Sequence, residues 1–211
     1  MQLESYEEDD GFRVSLTKEE REALYDEIDN TTSSIAWGLA SYCGLRRQEI
    51  GDVQFKDLRR RDNGDYVLRV WEGKGDKYRE TPVPSSLAIR IQTVEETSDV
   101  DSSDEVIDHS MRTCIRHVQA AADRIQDETG DEGWQYLGLH DGRRTFCNTL
   151  LDSDVGPLQV MQWASFDDWK TFKKHYQENS GEKPCLISIS VFLSWQDSSF
   201  SLCYEPPSLS R

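Results

Sequence analysis

Tyr66-Val67-Leu68-Arg69-Val70-Trp71-Glu72-Gly73-Lys74-Gly75-Asp76-Lys77-Tyr78-Arg79-Glu80-Thr81-Pro82-Val83-Pro84 is a run of β-formers, a glycine-flanked tip and a proline-marked exit. That pattern predicts an antiparallel hairpin with Lys74 at its tip. The sequence on both sides reads as helix. Thr17-Lys18-Glu19-Glu20 has the form of a capping box, with Leu16, Ala23, Leu24 and Ile28 at helical spacing behind it. A second helix is expected over 32–43, stopped by Gly44, and another from Arg46 to Phe55. Beyond the hairpin, helices are expected from a cap at Ser85 or Ser86 through Thr93, over 110–127 and 140–151, in a short piece from Gly156-Pro157, and over 168–176. One hairpin among many helices predicts a mainly α fold with a small antiparallel β-sheet.

At 211 residues and 24.3 kDa the chain suits one domain with tails. Residues 1–14 read as an acidic disordered leader, 15–178 as the folded domain, and 179–211 as a Ser/Pro-rich tail of different character. That tail fits an edge strand, a partner-binding segment or foreign sequence. No apolar stretch is long enough to span a bilayer, and the N-terminus lacks a signal peptide's basic and apolar regions. Cys43, Cys114, Cys147, Cys185 and Cys203 are widely spaced and odd in number. They predict small buried side chains and reduced thiols in cytoplasm rather than a disulfide framework or a metal site.

The net charge of -16 is unusual for a partner of nucleic acid, whose binding is driven by counterion release from phosphates. Two readings compete: a chain that does not bind DNA, or an acidic surface suited to concentrated salt, where long-range repulsion is screened. The distribution favours the second. Residues 46–79 carry ten basic against seven acidic side chains, and 169–176 carry three lysines and no acid.

Four polar stations stand out. Arg46, in Gly44-Leu45-Arg46-Arg47-Gln48-Glu49-Ile50, follows a glycine turn at a helix start, where a guanidinium can fork onto a phosphate; it can equally pair with Glu49 at i+3. Lys74 sits where two glycines permit close backbone approach to a ligand, or is an ordinary solvated turn residue; the spacing of a nucleotide-binding P-loop is absent. His140 and Arg143 lie one turn apart on one helix face, joining a titratable nitrogen to a fixed charge. Tyr176 closes Trp169-Lys170-Thr171-Phe172-Lys173-Lys174-His175-Tyr176, where the i, i+3, i+7 aromatic spacing also describes a plain core stripe. Two arginines, a lysine, a histidine and a tyrosine are together sufficient to break a phosphodiester without a metal.

The order and contexts of these stations resemble the tyrosine recombinase (phage-integrase-like) family over residues 15–177, and the acidity suggests a haloarchaeal member. The resemblance implies the mostly α DNA breaking-rejoining fold of that family's catalytic domain, with Lys74 on its sheet. It implies Tyr176 as nucleophile forming a 3′-phosphotyrosyl link, and Arg46 and Arg143 as the phosphate clamp. Lys74 would be the general acid, with Lys77 as its fallback, and His140 the base or proton shuttle. A further family position, a His or Trp that hydrogen-bonds the scissile phosphate, falls at Phe166, with Trp163 close by. Gly142 replaces an apolar residue, Leu in most members, and is expected to cost about 1 kcal/mol of helix stability and a core contact. Arg47, Lys77, Arg79, Arg144 and Lys170 are the expected DNA-contacting residues. The implied partner is double-stranded DNA, engaged as a homo-oligomer, with no cofactor. Members usually carry an N-terminal helical domain that closes over the DNA, and only residues 1–14 stand ahead of this catalytic domain. A DNA-binding remnant without turnover and a type IB topoisomerase-like relaxing enzyme are the other readings.

Overall fold

The capping box at Thr17 forms. Its hydroxyl accepts the Glu20 N–H at 3.3 Å, Glu20 Oε2 accepts the Thr17 N–H at 2.8 Å, and α1 (Lys18–Glu27) follows. The computed structural model describes residues 1–5, 11–73 and 77–176. Lys74 and the segment 179–211 lie outside the described residues.

The centre of the fold is α2 (Thr31–Ser41), capped by the Asn30 side-chain Oδ1, which accepts the Ser33 N–H at 2.8 Å. Every residue from Ser33 to Ser41 is buried. Its sequence, Ser-Ser-Ile-Ala-Trp-Gly-Leu-Ala-Ser, has small or apolar side chains all round, as a helix enclosed on all sides requires. Around it pack α1, α3 (Arg47–Gly51), α4 (Ser85–Thr97), α5 (Met111–Thr129) and α6 (Leu139–Asp152). α5 is amphipathic, burying Cys114, Val118, Ala121, Ala122 and Ile125. The last helices, α7 (Pro157–Trp163) and α8 (Trp169–Tyr176), pack with α6 around a second apolar cluster that contains Phe146, Leu150, Val160, Phe172 and Tyr176. Cys43, Cys114 and Cys147 are free and buried, as expected. Among the described residues no helix is long and apolar enough to cross a membrane.

The sequence-predicted hairpin is present, and it belongs to a three-stranded antiparallel sheet. A short strand, Leu58–Arg60, pairs with Tyr66–Gly73, which pairs with Lys77–Val83. The expected helix from Arg46 to Phe55 is shorter, ending at Gly51, with a 3-10 turn over Phe55–Asp57 leading into that edge strand.

The N-terminus departs from expectation. The described part of residues 1–14 is not an unstructured leader: Gln2–Ser5 (β1) and Phe12–Ser15 (β2) pair antiparallel, Gln2 opposite Ser15. The three strands of the larger sheet are therefore β3 (Leu58–Arg60), β4 (Tyr66–Gly73) and β5 (Lys77–Val83). The reason is long-range. Val14 is fully buried, its N–H donates to Asp141 Oδ1 at 3.1 Å, Leu16 N–H donates to Thr145 Oγ1 at 3.1 Å, and Asn148 donates to Ser15 Oγ at 3.0 Å. α6 thus supplies partners that no local reading of an acidic segment reveals.

Gly142 also reads differently in three dimensions. A Cβ there would stand 3.0 Å from both Ala40 Cβ and a ring carbon of Trp37. The missing side chain is therefore what lets α6 lie closely on α2, rather than a lost core contact. We expect Gly142→Leu to destabilise the protein by about 1–3 kcal/mol through overpacking, despite leucine's better helix propensity. Urea unfolding checks this; a midpoint raised by the substitution would contradict the close-approach account.

Candidate active site

Gly44 ends α2 in the left-handed region, at φ 69°, and a Cβ on it would lie 2.4 Å from the Phe146 ring. Glycine is required at this point for both reasons. The turn delivers Arg46 to the start of α3. Glu49, one turn on, accepts the Arg46 backbone N–H at 2.7 Å and its Nη1 at 2.9 Å. The i+3 pairing is therefore real, and it orients Arg46 without hiding it.

Glu49 is buried and is shared. Arg79 on β5, itself 7% exposed, forks onto it with Nη1 at 3.0 Å and Nη2 at 2.7 Å, while its Nε donates to Trp163 O at 2.9 Å. Arg79 was expected at the DNA surface; it is instead an internal brace joining sheet, α3 and α7. Burial works against the charge on Glu49, but the Arg79 hydrogen bonds and charge outweigh it and hold the carboxyl below its ordinary value.

Arg143, 2% exposed, projects from α6 between the Gly44 and Ala164 carbonyls and donates to both. Its guanidinium lies 4.7 Å from the centre of the Phe166 ring. Arg46 Nη2 donates to the next carbonyl, Ser165 O. Ser165 holds φ 53°, an uncommon conformation for a side chain-bearing residue, immediately beside both arginines.

Asp168 starts α8, accepting the Lys170 and Thr171 N–H groups at 3.1 and 2.8 Å and the Thr171 hydroxyl at 2.6 Å. One face of α8 then buries Phe172 and Tyr176. The Tyr176 ring meets Phe166 at 5.5 Å and Phe172 at 5.1 Å, and the Arg144 guanidinium lies 5.8 Å from its centre. Burial pushes the phenol well above its ordinary range, reinforced by the neighbouring buried Cys147 and opposed by the pull of Arg143 and Arg144.

Arg46, His140, Arg143, Arg144, Phe166 and Tyr176 line one cleft of about 350 Å³. Four of the five residues at those stations therefore meet, although they come from the turn after α2, from α6 and from α8. His140 is exposed at the cleft and Arg143 is buried at its floor. Of Phe166 and Trp163, the two residues at the further family position, Phe166 lines the cleft. Arg47 and Lys170 are exposed; Lys77 opens β5 opposite Gly73. Arg13, Asp168 and Thr171 also line the cleft and were not singled out from the sequence. Asp168 carries a local signal, the Asp-x-x-Thr cap; Arg13 carries none, because only the docking of β2 on α6 brings it there.

Residues 14–182 match the sequence model of the phage integrase family. The chain belongs to that family. Its fold is that of tyrosine recombinase catalytic domains. Among solved structures it is similar to the Tn1549 transposon integrase in complex with circular intermediate DNA, with TM-score 0.63, 15% identity, and coverage of 81% of this chain and 63% of that one. It is also similar to the XerH site-specific recombinase bound to a palindromic difH substrate, a post-cleavage complex, with TM-score 0.58, 19% identity, and coverage of 77% and 48%. A lambda integrase dimer bound to a COC′ core site gives TM-score 0.60 and 16% identity, covering 84% of this chain and 51% of that one. This chain thus spans between about half and two thirds of those proteins. No curated protein matches it.

Glu49 governs the site's integrity. Removing it strands Arg79 as a buried unpaired charge, so Glu49→Ala is expected to cost about 3–5 kcal/mol. A group whose folded pKa is depressed adds stability above its ordinary value, 4.5 here, that is lost as pH falls through the folded value. Thermal melts should therefore show the parent losing stability at acid pH more steeply than Glu49→Gln; equal slopes would remove Glu49 from the account.

Proposed function

We propose that this protein cleaves and rejoins duplex DNA through a 3′-phosphotyrosyl intermediate, acting as a site-specific recombinase or integrase. The observation that carries the reading is the shared cleft of Arg46, His140, Arg143 and Tyr176. Two guanidiniums there, one of them desolvated at the floor, suit the charge that builds on a pentavalent phosphorus in the transition state. Both now donate to backbone carbonyls, and a phosphodiester would offer stronger, charge-assisted acceptors.

In the proposed step the Tyr176 oxygen attacks phosphorus and the P–O5′ bond breaks. The phenolic proton passes to His140, and the leaving 5′ oxygen takes a proton from Lys74. The bond energy is kept in the phosphotyrosyl ester, so the 5′-hydroxyl of the same or a partner strand reverses the reaction. Burial disfavours free phenolate, so in the proposed step the phenolic proton leaves as the oxygen attacks rather than beforehand. Arg47, Lys77 and Lys170 would contact the flanking backbone, with a second copy of the chain on the other half-site. The acidic exterior suits work in concentrated salt, as in a halophile's mobile element, with the protein in the cytoplasm.

Phe166 motivates a second reading. It stands in the cleft with no hydrogen-bond donor, against Arg143, which fits a DNA-binding remnant with impaired turnover. A duplex carrying a nick beside the cleavage position traps the covalent adduct and separates the readings. The parent should accumulate a protein–DNA adduct in high salt and Tyr176→Phe should give none. Salt-dependent binding without adduct in the parent supports the remnant, and sequence-independent relaxation of supercoiled plasmid supports a topoisomerase-like activity.

A further inference from the structure

The β1–β2 hairpin brings an extra cation to the cleft. Arg13 lines it together with Arg144, and the Glu4 carboxylate bridges the two: Oε1 is 3.7 Å from Arg13 Nη1 and Oε2 is 3.4 Å from Arg144 Nη1. Arg144 is 93% buried, and its Nε is a buried donor without a hydrogen-bond partner among the described residues. Such a donor is costly unless something else satisfies it. The Glu4 side chain is 41% exposed and its contacts are long, so the bridge contributes little stability and exchanges readily.

A carboxylate and a phosphodiester share one negative charge and a pair of adjacent acceptor oxygens, the pattern that forked guanidiniums recognise. We propose that Arg13 and Arg144 form a second phosphate subsite beside the catalytic clamp, taking a DNA backbone phosphate that flanks the scissile one, and that Glu4 occupies the subsite as an internal surrogate until DNA displaces it. This rests on the DNA-cleaving reading above and extends it. The subsite sits against the nucleophile, because the Arg144 guanidinium also lies over the Tyr176 ring at 5.8 Å. Filling it therefore pulls on the same guanidinium that packs against the phenol.

The test uses the full chain carrying Tyr176→Phe, so that no adduct forms, and a fluorescein-labelled mixed-sequence duplex titrated across a potassium chloride series. Arg13→Gln should weaken binding severalfold and reduce the slope of log affinity against log salt by about 1, one phosphate contact. Glu4→Gln should tighten binding severalfold, and Arg13→Lys should keep most of the slope. Melting curves of each variant separate loss of contact from loss of the hairpin. If the Tyr176→Phe chain binds with a salt slope that Arg13→Gln and Glu4→Gln both leave unchanged, the subsite is overturned while the DNA reading stands. If that chain shows no salt-dependent binding at all, both fall.

Discussion

The buried Glu49 carboxylate of α3 accepts hydrogen bonds from the Arg46 backbone and side chain and from both Nη atoms of Arg79 on β5. A buried charge is tolerable only when its acceptor capacity is filled by opposite charge, and here it is filled from two different elements. The consequence is geometric. Arg46 is fixed at the mouth of the cleft because Glu49 is fixed, and Glu49 is fixed because the sheet carries Arg79 into the helical body. Thr81 Oγ1 donating to Cys43 O at 3.0 Å adds a second tie between the sheet and the end of α2. The sheet that bears the hairpin is thereby held in register with the helices that bear Arg143 and Tyr176.

Arg143 solves a related problem differently. Among the described residues no carboxylate pairs with it; its buried guanidinium donates to the carbonyls of Gly44 and Ala164, the ends of two turns. Burial lowers its pKa, yet an arginine stays charged under such pressure because its starting value is so high. The left-handed Gly44 and Ser165 follow from the same constraint, because both turns must present carbonyls to one guanidinium. Among the described residues the Arg143 guanidinium is thus held by backbone carbonyls, while Arg46 beside it is held by Glu49.

Tyr176 is the counterpoint, a candidate nucleophile with an aromatic environment. Phe166 meets both Phe172 and Tyr176 edge-to-face, those two rings lie tilted at 32° to each other, and the cluster packs α8 with α6 and α7. The core-stripe spacing read from the sequence does bury this ring, and α8 nevertheless lets it line the cleft. The large negative net charge does not oppose this arrangement, since the cleft gathers Arg13, Arg46, His140, Arg143 and Arg144 in one place.

Local chemistry determined a good deal by itself. The Thr17 capping box, the helix starts near 110 and 168, the glycine stop at Gly44 and the hairpin strands within 66–84 are short-range patterns, and each formed close to where it was read. The set Arg46, His140, Arg143 and Tyr176 was legible because a resemblance in order and context stood in for distance. Only tertiary structure could decide which charges face the cleft. Arg79 turned inward because a carboxylate thirty residues away lies across from it. The acidic N-terminus became a strand pair because α6 offered side-chain acceptors at Asp141 and Thr145. Gly142 became a point of close approach because Trp37 and Ala40 happen to face it. Periodicity and capping act over a few residues, whereas burial, ion pairing and helix contact depend on what the rest of the chain brings alongside.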